Sequence, residues 1–177
     1  MNEIIIAMHT NHKSQIESLS QTHFCFQVFV WGGISRRGST PLAIFAGTME
    51  SDFFYNDILN NCLLSFIAQK YPDHHRLFQD NDPKHTSQAT AVFMQEKGIN
   101  WWKSPAESPD INVVENIWAE MKFHIRTKVK PDNQDQLIAG LREFWATVTV
   151  AKCNHYIDHI MTVLPEVVKV NGGPTKY

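Results

Sequence analysis

Two acidic residues set the first chemistry to consider. Asp80 closes the segment HRLFQD (residues 75–80), and Asn81, Asp82, Pro83, Lys84, His85 and Thr86 follow it directly. That polar cluster is too dense for an ordinary strand-to-helix loop and suits a cation or a phosphate. Glu115 stands in a segment where Ile111, Val114, Trp118, Met121 and Ile125 recur at three- and four-residue steps, the spacing of a helix with one apolar stripe. One turn from Ile111 and Trp118, it falls at the border of that stripe rather than on the solvent face. A carboxylate held there needs compensation, and a divalent metal supplies it. Mg²⁺ takes hard oxygen ligands, usually one or two carboxylates with substrate phosphates and water. Two such ions about 4 Å apart can activate a water or a 3′-hydroxyl and stabilise the leaving oxygen of a phosphodiester. Each acid also has a plainer role, Asp80 as a strand-end turn residue and Glu115 as a solvated helix residue. Asp82 and Asp110 read as structural, Asp110 as a helix N-cap.

Other side chains invite weaker readings. Lys122, Arg126 and Lys130 recur every four residues after Glu115 and could follow a phosphate backbone, although a solvated helix face fits nearly as well. Arg36 and Arg37 share that ambiguity. Cys153, His155 and His159 form a C-x-H-x-x-x-H pattern, but nothing nearby completes a tetrahedral set, so a zinc site is not expected. Trp101, Trp102 and Trp118 could stack on bases, with core packing expected for at least two of them. His74, His75, His9 and His12 are expected to be exposed.

The elements that must position these residues can be read from pattern. The apolar runs FQVFVWGGI (residues 26–34) and PLAIFA (41–46) flank Arg37-Gly38-Ser39 and predict a β-hairpin. From Ser51, a plausible N-cap, Phe54, Ile58, Cys62 and Phe66 fall four apart on a helix that Pro72 and Asp73 end. A short strand then runs to Asp80. Thr86 or Ser87 caps the next helix, and Gly98 stands where a left-handed cap is needed. A brief strand over residues 99–102 and the Glu115 helix follow, then two amphipathic helices over residues 134–146 and 152–164. Short strands alternating with helices predict an α/β sheet covered on both faces, with chemistry at the carboxyl ends of strands.

The 177 residues, 43% apolar, suffice for one core and one domain. Sixteen basic residues against 18 acidic give a net charge of −2, which neither announces nor excludes a nucleic-acid partner. Cys25, Cys62 and Cys153 lie far apart, the pattern of free thiols in a reducing compartment. The apolar stretch near the N-terminus lacks a basic start and a cleavage site, and no run is long enough to span a membrane, so an intracellular soluble protein is expected.

The words QDNDPKHTS (residues 79–87) and SPDINVVENIW (108–118) resemble the second and third catalytic blocks of the Tc/mariner-type DDE transposases, and VFVWGGIS (28–35) resembles the strand before them. Thirty-four residues separate Asp80 from Glu115, the spacing of the Asp-Asp-Glu branch of that family. The resemblance implies a ribonuclease-H-like mixed sheet flanked by helices, with the first strand altered or missing and extra C-terminal helices. It divides the chain into an atypical segment 1–27, a catalytic core 28–130 and a helical extension 131–177 of the same domain. It implies Mg²⁺ or Mn²⁺ as cofactor, held by Asp80 and Glu115 with Asn81 and His85 in support. It also implies DNA as partner, met in the nucleus, where Lys84, Lys122, Arg126 and Lys130 could contact it, and where a second copy or a partner transposase could join the chain.

Two departures stand out. The family's first Asp belongs on an upstream strand, and residues 1–27 hold no Asp, only Glu3 and Glu17. The run EIIIAM (residues 3–8) could fill that strand's slot, but His9, Thr10 and Asn11 bring no acid after it. Val113 replaces a common Pro and costs only a helix-start preference. The expected function is metal-dependent DNA cleavage and strand transfer at an incomplete site; the alternative is a noncatalytic remnant that binds DNA or a partner protein. The family's helix-turn-helix domains lie outside this sequence, so recognition of specific transposon ends is not expected of it alone.

Overall fold

The computed structural model describes residues 4–9, 28–45, 54–79, 85, 87–103 and 112–169. Its centre is strand β1, Ile4–His9. The unbroken apolar run of Ile4 to Met8 is the pattern of a strand covered on both faces. β1 pairs antiparallel with β2 (Phe29–Ser35) from Ile5↔Ser35 to His9↔Trp31, and parallel with β5 (Arg76–Gln79) from Ile4↔Arg76 to Ile6↔Phe78. The run offered for the slot of the altered or missing strand does form a strand, in the middle of the sheet.

The hairpin forms as expected. β2 turns through Arg36 and Arg37 into β3 (Gly38–Ser39), and β4 (Ala43–Phe45) lies farther along the same edge of β2. Gly38 turns the chain at φ +115, a conformation that side chains resist. β6 (Trp101–Lys103) pairs parallel with β5 and ends the sheet, whose order is β3-β2-β1-β5-β6.

Alternation along the strands feeds two cores. On one face, Val30 and Ile34 of β2 pack with α3 (Val114–His124), α4 (Gln134–Ala146) and α5 (Val150–Lys169) through Ile117, Trp118, Leu141, Trp145 and Cys153. On the other, Trp31 and Leu77 pack with Ile58, Leu63, Phe66 and Met94. These belong to a π-helical stretch Phe54–Leu64 that continues as α1 (Ser65–Lys70), and to α2 (Gln88–Glu96). The result is helix, sheet, helix in three layers.

Local signals set most helix ends. The Ser87 hydroxyl accepts from the Thr90 amide at the start of α2, and Gly98 past its end has φ +66. Asn133 caps α4, which spans the residues expected. α5 extends beyond its expected span at both ends, and α3 passes into a π-helical turn, Ile125–Val129. The N-cap roles given to Ser51 and Asp110 lie outside the described residues.

Candidate active site

The two parallel strands β1 and β5 end on the same side of the sheet, and α3 packs against β1. Glu115 lies in the first turn of α3, half-buried, as its place at the stripe border required. Asn112, 5% exposed, donates from Nδ2 to Glu115 Oε1 at 3.3 Å, and its carbonyl accepts the Glu115 amide at 3.0 Å. It thus fixes both ends of the residue. Sequence reasoning did not single out Asn112; its position three residues before the acid, at a helix start, was the available signal.

His85 is 1% exposed, and its carbonyl accepts from Gln79 Nε2 at 3.2 Å. Gln79 is itself buried at the end of β5, so the segment after the strand is tied back to the strand it leaves. Asp80, Asn81, Asp82 and Lys84 lie outside the described residues. β1, which pairs with β5, consists of Ile4, Ile5, Ile6, Ala7, Met8 and His9. The strand beside β5 therefore contributes no carboxylate.

The basic candidates separate. Arg126 and Lys130 are exposed, Lys130 with φ 48 at the end of the π-helical turn, whereas Lys122 is half-buried. Arg36 and Arg37 are engaged within the fold. Arg36 pairs with Asp158 of α5 at 2.6 Å. The Arg37 guanidinium binds the Lys70 carbonyl and lies 4.5 Å from the Tyr71 ring centroid. Both hold the hairpin tip to the helices on either side of the sheet.

Among the described residues no group of three His, Cys, Asp or Glu could hold a metal ion. Cys153 is buried among apolar side chains and His155 stands edge-on to Tyr156, so the C-x-H-x-x-x-H pattern is a helix with one core position. His75 departs from its exposed expectation: it is half-buried, its Nε2 accepts the Asn100 amide at 3.2 Å, and burial holds its pKa below the usual value. Of the three tryptophans, Trp118 is in the first core, Trp101 packs on the second, and Trp102 is 55% exposed. No helix among the described residues is long and apolar enough to cross a membrane.

Residues 8–138 match the family model described as DDE superfamily endonuclease. The chain is 31% identical over 150 residues to the transposable element Tcb1 transposase of Caenorhabditis briggsae, covering 85% of this chain and 54% of that protein. It thus spans about half the length of that relative. The fold matches the Mos1 transposase catalytic domain solved with Raltegravir and Mn, at TM-score 0.77 and 14% identity over 98% of this chain and 84% of that one. It also matches Mos1 in a paired-end complex with the left transposon end, at TM-score 0.73 and 16% identity over 98% of this chain and 56% of that one. The mixed sheet is the ribonuclease-H-like one expected, and the chain belongs to the DDE superfamily endonucleases as a transposase catalytic domain of Tc/mariner type.

Proposed function

We propose that this chain holds DNA at a site built for metal-dependent phosphodiester cleavage and, by itself, does not cut it. One observation carries the reading: the strand in the middle of the sheet, next to the one that leads into Asp80, brings Ile, Ala, Met and His where cleavage needs a further hard oxygen ligand.

Asp80 and Glu115 would hold a divalent cation, Mg²⁺ or Mn²⁺, with Asn112 orienting the Glu115 carboxylate. Bound there, the ion would neutralise a backbone phosphate. Two carboxylates do not fit a two-ion site, in which both ions need anionic oxygens to sit close together. No cleavage step follows from this donor set. The Mos1 structures with Mn and with a transposon end support a divalent cation and DNA as the ligands in this fold. Arg126 and Lys130, with Lys84 and the less exposed Lys122, would contact phosphates, which makes affinity fall as salt rises. Such a substrate is met in the nucleus, by this chain alone or beside a second copy or an intact transposase.

The test is a plasmid-nicking and a DNA-binding assay run on the same preparation in Mn²⁺. Salt-sensitive binding without nicking is expected. Nicking that Asp80→Ala abolishes would sink the noncutting reading and restore full catalysis as the function.

A further inference from the structure

Trp102 is the most exposed tryptophan assigned to a strand, on the outermost strand of the sheet, and it is not bare. The Arg76 guanidinium carbon lies 4.3 Å from its ring centroid. Trp101 packs on the core shared with α1 and α2, so alternation turns Trp102 to the other face, the one that α3 covers over β1. Its strand neighbour Phe78 is only half-buried on that face. Beyond α3, the floor of the sheet therefore ends in a flat indole backed by a cation, with Lys103 next along the strand.

We propose that Trp102, with Arg76 stacked on it, is a platform for one unpaired base of a DNA strand whose backbone reaches the acidic site. The inference rests on the DNA-holding reading above and adds the strand state that the surface prefers. An exposed indole is a costly surface feature with a use here: it stacks any base, whatever the sequence, and the guanidinium adds a phosphate contact or a second stacking plane. From Arg76 to the end of β5 at Gln79 is about 10 Å at the rise of a strand, a span that a single strand covers in a few nucleotides. Inside a duplex the faces of each base are covered by its stacked neighbours, so the platform favours frayed or single-stranded ends.

The experiment is fluorescence anisotropy with a blunt duplex and the same duplex carrying a short 3′ single-stranded tail. The tailed duplex is expected to bind about tenfold more tightly. Trp102→Ala should erase that difference while leaving the blunt duplex bound as before, and Trp102→Phe should keep most of it. Circular dichroism checks that each variant folds, and the Phe variant retains an aromatic ring should the Ala variant not. An unchanged preference in Trp102→Ala, or equal weakening of both duplexes, overturns the platform and leaves the DNA-holding reading standing. Failure to bind either duplex overturns both. A change in association state without a change in preference would make the β6 edge a protein-pairing surface and would also overturn it.

Discussion

The indoles of Trp118 and Trp145 stack with centroids 5.2 Å apart and 16° between their planes, joining α3 to α4 directly over Gly32 of β2. A Cβ at Gly32 would lie 2.8 Å from two ring atoms of Trp145 and 3.3 Å from Trp118. Trp145 cannot yield easily, because its Nε1 donates to the buried Thr40 carbonyl at 2.8 Å. Gly32→Ala is therefore expected to destabilise the domain by about 1–3 kcal/mol, the usual cost of overpacking. Urea unfolding measures it, and an unchanged midpoint would contradict the close approach.

Met8 pairs with Gly32 across β1 and β2, and it follows Ile6, the partner of Phe78, by two residues, as Asp80 follows Phe78. On the proposed function it is the β1 position to test for an added acid. In Met8→Asp, millimolar Mn²⁺ should raise the melting temperature by several degrees more than in the parent chain, since a cation that binds only the folded state stabilises it. Adding Asp80→Ala should remove the gain. If Mn²⁺ affects Met8→Asp and the parent alike, position 8 does not supply a ligand to the proposed site.

Glu120 on α3 accepts hydrogen bonds from Tyr156 and pairs with Lys152, both on α5. Partial burial pushes its carboxyl up, but the Lys152 and Tyr156 hydrogen bonds and the Lys152 charge outweigh it, and its pKa is held below 4.5. A depressed acid contributes stability that is present above its unfolded value and is lost as pH falls through the folded one. Glu120→Gln should cost no more than about 1 kcal/mol near neutrality, given its exposure. The gap to the parent should close on acidification, which thermal melts across the acid range would show. A gap that stays constant with pH would rule out the ionised pair.

Burial pushes the Cys153 thiol up to about 11 despite backbone hydrogen bonds and the nearby Lys152 charge. Little reactive thiolate exists near neutral pH. Iodoacetamide should label half-buried Cys62 well before Cys153, whose labelling should track global unfolding, as read by peptide mass spectrometry. Comparable native rates for the two would show that α5 opens locally. The raised pKa also means that this thiol's contribution to stability holds below 9.0 and declines as pH rises towards 11.

Sequence alone determined what depends on neighbours a few residues away. The Ser87 cap, the left-handed Gly98, the Arg37-Gly38 turn and the span of α4 rest on hydrogen bonds and dihedral preferences within one turn of chain, so local residue types suffice. The family blocks, and with them Asp80 and Glu115, were legible for the same reason: each is a short word. Tertiary structure decided which of three tryptophans faces outward, that Arg36 and Arg37 clamp the hairpin rather than wait for phosphate, and that Asn112 holds Glu115. It also decided that Ile4–His9 fills the middle of the sheet. A run of apolar residues says only that a strand wants cover on both faces; which strands flank it is set by cores assembled from residues far apart in the chain. That placement sets a strand without an acid beside the strand that leads into Asp80.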